Sequence, residues 1–143
     1  MKTALAFVAM SVVACAALAQ VSVTPDDLNN ADYGTYPTEY ETLVKAWASE
    51  NLKDPESARY GKISKPRKEY MIKAGKPFYG FSVCAGINAK NAYGGYTGTQ
   101  TYWFLIRDGV IARAQNTGEK IAGLIPGTTI SQGHTVNCSD GDA

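Results

Sequence analysis

The spacing of apolar residues predicts one amphipathic helix near the start of the folded domain. Within residues 40–52, apolar side chains recur at helical intervals, at Tyr40, Leu43, Val44, Trp47, Ala48 and Leu52. Thr38 and Glu41 fit a capping box, in which both side chains accept hydrogen bonds from backbone N–H groups of the first turn. Because Pro55 disfavours helical angles in the residue before it, we expect the helix to end at Lys53.

The next segments carry weaker patterns. Residues 54–58 begin with Asp-Pro, which is typical of a helix start, and predict one further helical turn. Residues 59–63 fit a short strand. Residues 64–77 are basic and contain two prolines and a glycine, so they predict a surface loop or a long hairpin connection.

From Phe78 onward the apolar period changes from helical to two, which predicts strands. Residues 101–107 are apolar on both faces and therefore fit a central strand, and Asp108-Gly109 is a type I′ turn signal before residues 110–115. We expect an α+β fold, in which the N-terminal amphipathic helix packs on a small antiparallel β-meander with one disulfide. The tail, 116–143, contains one apolar island at 121–125 and is expected to cross back over the sheet.

The N-terminus has the pattern of a secretory signal peptide. Lys2 precedes an apolar run of about 16 residues, shorter than the roughly 20 needed to span a bilayer. We expect cleavage after Ala19, which leaves a periplasmic or secreted protein without a transmembrane segment. A lipobox-like alternative would instead leave a lipid anchor on Cys15. The predicted organisation is a signal peptide at 1–19, a flexible leader at 20–36 in which only the surroundings of Tyr33 and Tyr36 are candidates for order, and a single domain at 37–143.

Two cysteines remain once the signal peptide is set aside, as expected of one disulfide in an oxidising compartment. The prediction is a Cys84–Cys138 bridge across 54 positions of the chain. In the chain-entropy treatment, a loop of this length stabilises a fold by about 4 kcal/mol.

The charges nearly cancel, because the formal net charge of the whole chain is +1. This balance gives no general attraction to nucleic acid or anionic membranes. The distribution is uneven: residues 26–56 hold eight acids and two bases, whereas residues 59–90 hold eight bases and one acid. One interpretation is two solvated faces of a single domain, and the other is a basic contact patch for an anionic envelope partner.

The sequence contains no convincing catalytic or metal constellation. His134, Cys138 and Cys84 have a spacing that zinc accepts, but an oxidised cystine offers no ligands and no obvious fourth ligand exists. The same disulfide removes a cysteine nucleophile. Glu39, Glu41 and Glu56 are carboxylates on an expected solvated helix face or its cap. We therefore expect no bound metal and no cofactor, and a non-enzymatic role is favoured over an enzymatic one.

The stretch 84–98, CAGINAKNAYGGYTG, concentrates glycine, asparagine and tyrosine after the strand that begins at Phe78. Glycine and asparagine favour chain reversal, and tyrosine offers an apolar face with a hydroxyl for contacting sugars or proteins. The candidate binding residues are Asn88, Lys90, Asn91, Tyr93 and Tyr96. The structural alternative is that both tyrosines fold back over their own glycines.

Two motifs give the chain a family resemblance. Residues 54–58, DPESA, and the run from Val83 to Gly98 resemble those of a widespread group of small exported bacterial proteins with no established activity. That group carries a DPxSA segment and a VCGxxNAKNxxGGYxG motif, and this chain has Ala85 where the group has glycine. The resemblance implies export and a shared domain, and it supplies no catalytic residues.

These observations predict an exported, non-enzymatic binding or interaction module of the bacterial cell envelope. Its expected partner is an envelope protein or a glycan. The alternatives are a small periplasmic hydrolase that uses a carboxylate or His134, and an inhibitor that blocks the cleft of an envelope enzyme.

Overall fold

A computed structural model describes residues 21–117, 128–131 and 134–138, and it is dominated by antiparallel β-sheet. The two helices are short: α1 spans Pro25–Asn30 and α2 spans Tyr40–Asn51. The strands of the main sheet are β1 (Asp54–Ile63), β2 (Arg67–Lys73), β3 (Lys76–Lys90), β4 (Gln100–Arg107) and β5 (Val110–Asn116). Strands β6 (Thr128–Ser131) and β7 (His134–Asn137) pair with each other in a second, two-stranded sheet.

The predicted α+β class is wrong, because strands account for 49% of the structure and the helices are small. The strand predicted at residues 59–63 is confirmed as part of β1, and the errors lie in residues 54–58 and 64–77. Asp54-Pro55, interpreted as a second helix start, opens strand β1 instead. The expected basic loop contains strand β2. Its sequence, RKEYMIK, shows no clear alternation of apolar and polar residues, because most of its residues are charged. Lysines are frequent on edge strands because they discourage pairing with other chains.

Strand β3 is the axis of the main sheet. Its first half pairs with β2 and its second half with β1, while β4 lies along its other edge and β5 follows β4. Ser64 lies between β1 and β2 and keeps that edge continuous. Its N–H donates to the Cys84 carbonyl at 2.8 Å, and its hydroxyl accepts the Cys84 N–H at 2.9 Å.

The two faces of the sheet carry separate cores, as the period-two pattern predicts. On the face that we call the helix face, α2 packs its buried residues Val44 and Ala48 against β3 and β4, on Val83, Ala85, Ile87, Phe104 and Ile106. On the opposite face, which we call the cystine face, the buried cluster is Met71, Cys84, Trp103, Leu105 and Cys138. Cys84 and Cys138 form the predicted disulfide, with an S–S distance of 2.03 Å.

The helix stripe is confirmed, but its predicted capping is wrong. The N-cap of α2 is Glu39, and its side chain makes no capping hydrogen bond. The capping box instead belongs to α1, where Thr24 and Asp27 bond each other's backbone N–H groups. Helix α2 therefore starts one residue after the position that the pattern indicated, and α1 was not predicted.

Within the predicted leader 20–36, the residues around Tyr33, one of the two places considered for order, contact the sheet. Tyr33 is 7% exposed, and its ring lies 5.5 Å from that of Tyr79 and 6.1 Å from that of Phe81. Arg107 donates to the Asp32 carboxylate at 2.7 Å. The structured region thus includes residues before the expected boundary at Pro37.

Several predicted features lie outside the described residues: the signal peptide 1–19 with Cys15 and Ala19, and the apolar island 121–125. Among the residues that are described, no helix is long and apolar enough to cross a bilayer.

Candidate functional site

The stretch 84–98 divides into a strand and a turn. Residues 84–90 belong to β3, and the chain reverses over Asn91–Gly95. Asn91 closes the reversal: its side-chain oxygen accepts the N–H groups of Tyr93 and Gly95 at 2.9 and 3.2 Å, and its own N–H donates to the Gly95 carbonyl at 2.8 Å. Gly94 has a φ of +81°, a conformation that suits glycine. The turn is therefore braced from within by its own residues.

Tyr96 is held at the base of this turn by residues of strand β1. Its hydroxyl donates to the Ser57 carbonyl at 3.2 Å. The Arg59 guanidinium carbon lies 4.5 Å from the centre of the Tyr96 ring, and the Lys90 ammonium lies 5.6 Å from the same centre. Contacts of this kind between a cation and an aromatic ring contribute about 0.5–1 kcal/mol each at exposed sites. Tyr96 is consequently a fixed ring with two cations beside it.

Tyr93 differs from its neighbour because the protein does not cover it. It is 97% exposed, compared with 40% for Tyr96. Its backbone is fixed by the bond from its N–H to Asn91, so the ring projects from an ordered main chain while its own surface is open. Tyr93 therefore presents an aromatic face outward from an ordered turn.

Of the five predicted binding residues, the structure brings four together and separates one. Lys90, Asn91, Tyr93 and Tyr96 form or flank the turn, and Lys90 and Tyr96 make a bridge across its base. Asn88 lies within β3, opposite Arg59 of β1.

The Asn88 side-chain oxygen is buried without a hydrogen-bond partner, as are Trp103 Nε1 and Gln115 Oε1. Strand alternation and register place all three on the cystine face, with Trp103 opposite both Cys84 and Gln115. They belong to the interior rather than to the turn.

Two residues of the site were missed by sequence reasoning. Ser57 and Arg59 come from β1, and Ser57 anchors both the Tyr96 hydroxyl and, through its own hydroxyl, the Lys90 N–H at 2.9 Å. Arg59 has a detectable signal, since it belongs to the basic region 59–90. Ser57 has no such signal, because its role depends on the pairing of β1 with β3, and residues 54–58 were interpreted as a helical turn.

The residues considered for catalysis do not converge. Glu39, Glu41 and Glu56 are exposed and lie on α2, its cap and β1. Cys84 and Cys138 are bonded to each other, which removes both the nucleophile and the zinc hypothesis that needs their thiolates. His134 lies in β7, and its side chain is outside the described atoms. Within the described residues, no three His, Cys, Asp or Glu side chains are grouped to hold a metal.

Groups with shifted pKa values lie in the N-terminal segment and in the sheet, where hydrogen bonds or burial cause the shifts. A hydrogen bond from the Gly34 N–H, assisted by Arg107, holds the pKa of Asp32 below its usual range. Burial raises the pKa of Tyr33 and of Tyr60 above the ordinary value. These groups stabilise the fold and are not assembled into an acid–base pair.

Two concave regions adjoin these segments. One, of about 430 Å³, lies between Tyr36, Leu43 and the Asp108–Gly109 turn. The other, of about 170 Å³, lies on the helix side of the 91–95 turn and is bordered by Leu52, Lys90 and Tyr102. The smaller one could receive an edge of a ligand bound at the turn.

Comparisons with protein-family models, curated proteins and solved structures found no match. The resemblance to the group of small exported proteins therefore stays a prediction, and the candidate site rests on the geometry of this chain.

Proposed function

We propose that this protein is an exported, non-enzymatic binding module of the bacterial envelope, and that its contact surface is the turn Asn91–Gly95 with Tyr96 at its base. The observation that carries the proposal is Tyr93, an aromatic side chain 97% exposed on a turn that Asn91 braces from within.

An ordered turn loses less entropy on binding than a flexible loop does. A flexible loop that becomes fixed on binding loses conformational entropy, which reduces affinity, whereas an ordered one avoids most of this loss. Tyrosine adds a large contact area with few rotatable bonds, which is why it is frequent among residues that dominate binding energy. A braced turn with an uncovered tyrosine is thus well suited to contact a partner.

Export is part of the same proposal. The Cys84–Cys138 disulfide supports it, since disulfides persist in oxidising compartments and are rare in the reducing cytosol. The apolar N-terminal run supports it independently.

The experiment compares two exposed side chains at different turns. Tyr93 is replaced by alanine, and Val110, which is 65% exposed beside the Asp108–Gly109 turn, is replaced by alanine as the control. Retention on washed envelope fragments is measured for the full chain and both variants. We expect Tyr93→Ala to weaken retention about tenfold or more, as hot-spot aromatics do, and Val110→Ala to leave it unchanged.

Melting temperatures show whether a loss of retention comes from lost binding or from a less stable fold. Both variants should melt within about 2 °C of the parent, because neither side chain is packed. Retention of Tyr93→Ala equal to that of the parent contradicts the proposal. A lower melting temperature for Tyr93→Ala than for Val110→Ala would make the turn a structural element.

A further inference from the structure

Two cations share one aromatic ring at the base of the turn. The Arg59 and Lys90 side chains are 4.5 and 5.6 Å from the centre of the Tyr96 ring. Because both distances end at the same point, the two charges are at most about 10 Å apart, which is roughly one Debye length at 0.1 M salt. A single anionic ligand can therefore interact with both at once.

No carboxylate among the described residues lies within ion-pair distance of either cation. Asp54 faces Lys90 across the β1–β3 ladder, but its Oδ1 accepts the Ser57 N–H at 3.3 Å. By contrast, Arg107, on β4, forms described ion pairs with Asp32 and Asp108. Asp54 offsets part of the positive charge beside Tyr96, but neither Arg59 nor Lys90 is held in an ion pair within the described residues, so both can contact an anionic ligand.

The backbone of Lys90 and the Tyr96 ring beside the two cations are held in place before any ligand arrives. Ser57 holds the Tyr96 hydroxyl through its carbonyl and the Lys90 backbone through its hydroxyl, and Asp54 in turn holds Ser57. Binding therefore requires little rearrangement of the corner where β1, β3 and the turn meet. This preorganisation favours specific recognition over loose attraction.

Tyr93 adds a second kind of contact close to this charge. It is three residues from both Lys90 and Tyr96, so its backbone is at most about 10 Å from either. Its ring is open, whereas a side chain that anchors a protein interface usually fills or forms a desolvated pocket. A flat ligand with apolar C–H faces, such as a sugar ring, can stack on it without a pocket.

We infer that the turn binds a carboxylate-bearing glycan, with Tyr93 against a sugar ring and Arg59 and Lys90 on carboxylates of the same chain. This inference rests on the proposed function and specifies its ligand. Arginine suits the task because its guanidinium forms paired hydrogen bonds with a carboxylate. Single-stranded nucleic acid also combines stacking with negative charge, but it requires a groove of cations that follows the backbone.

The probe is polygalacturonate, an acidic polysaccharide, and its fully methyl-esterified form is the uncharged match. Calorimetry with the full disulfide-bonded chain should give binding to the acid form and at least about tenfold weaker binding to the ester, because the charge-assisted hydrogen bonds are lost. Equal affinity for the two polymers, or tighter binding of oligothymidylate than of polygalacturonate, would overturn the inference.

Three variants locate the binding. Arg59→Gln and Lys90→Gln should each weaken binding of polygalacturonate about three- to tenfold. Lys76→Gln removes the same charge from an exposed residue at the start of β3 and should change the affinity less than about twofold. Equal losses in Lys76→Gln and Arg59→Gln would reduce the effect to overall charge and refute the site.

The two proposals fail in different ways. If polygalacturonate does not bind but Tyr93→Ala still loses retention on envelope fragments, the glycan inference is wrong and the binding function stands. If Tyr93→Ala keeps its retention, the binding function itself is wrong.

Discussion

Two tyrosine-bearing segments flank the sheet, and the protein treats them in opposite ways. In the N-terminal segment, Tyr33 is 7% exposed, packs on Tyr79 and Phe81, and donates its hydroxyl to the Leu28 carbonyl at 2.8 Å. At the 91–95 turn, Tyr93 is 97% exposed and contributes only its backbone N–H to the turn.

The contrast shows that an aromatic residue next to a turn is not a binding residue by type alone. Both segments also place a lysine over a tyrosine ring, Lys68 over Tyr33 at 5.0 Å and Lys90 over Tyr96 at 5.6 Å. The rings differ in how far other residues contact them. Tyr33 packs on neighbouring rings and Tyr96 is hydrogen-bonded to Ser57, whereas the Tyr93 ring is almost fully exposed. The following predictions test that distinction.

The largest change in stability should come from removing the disulfide. Replacing Cys84 and Cys138 together with alanine should lower the free energy of unfolding by about 4 kcal/mol, because the unfolded chain is then unconstrained. Urea denaturation measures this loss. The 91–95 turn is braced by its own residue Asn91, so retention on envelope fragments well below the melting temperature should persist. Loss of retention in the folded double variant would show that the turn depends on the cystine face.

The next largest effect separates the two tyrosines directly. Tyr33→Ala removes a buried ring and should cost about 3 kcal/mol of stability, as other large-to-small changes in packed sites do. Tyr93→Ala should cost less than about 0.5 kcal/mol, since an uncovered side chain loses no packing. Chemical denaturation of the two variants under identical conditions provides the comparison, and equal losses would contradict it.

A smaller effect is expected at Asn91. Asn91→Ala removes the acceptor for two backbone N–H groups and should destabilise the protein by about 1 kcal/mol. Asn91→Asp keeps an oxygen in the same place and serves as the matched control for stability. Amide hydrogen exchange at Tyr93 and Gly95 should accelerate in the alanine variant alone; unchanged exchange would mean that Asn91 does not brace the turn.

The smallest effect concerns pH and the N-terminal segment. The pKa of Asp32 is lowered by the Gly34 N–H bond and by Arg107, so its stabilising contribution is present above the unfolded pKa of about 3.9 and is lost as pH falls through the lower folded value. Parent and Asp32→Asn should differ slightly in melting temperature at pH 6 and converge near pH 2. A difference that persists or grows in acid would contradict the assigned cause.

Sequence periodicity was sufficient for the parts of the fold that have one clear alternation. The helix stripe, the strand period that begins at Phe78, the central strand at β4 and the Asp108–Gly109 turn were all predicted, and both turn residues have positive φ, at +50° and +75°. The disulfide followed from counting cysteines.

The first half of β1 and the whole of β2 were missed, because an edge position places charged residues where a buried strand would have apolar ones. Because the first half of β1 was not recognised as a strand, Ser57 was not recognised as part of the candidate site. Tyr96 reaches Ser57, which is 39 positions away in sequence, and a contact of that range depends on strand pairing rather than on local pattern. The sequence pointed to Tyr33 as a place where the N-terminal segment could order, but not to its contacts, because the rings that bury it belong to β3.

Hydroxyl-radical footprinting of the unmodified protein tests the central claim most directly. Tyr93 should be oxidised readily in the isolated protein and protected when washed envelope fragments are added, because the proposal places the partner on its ring. Tyr33 is buried and should react little in either sample, and exposed Val110 should react equally in both. Oxidation of Tyr93 that is as fast with the fragments as without them would contradict the account.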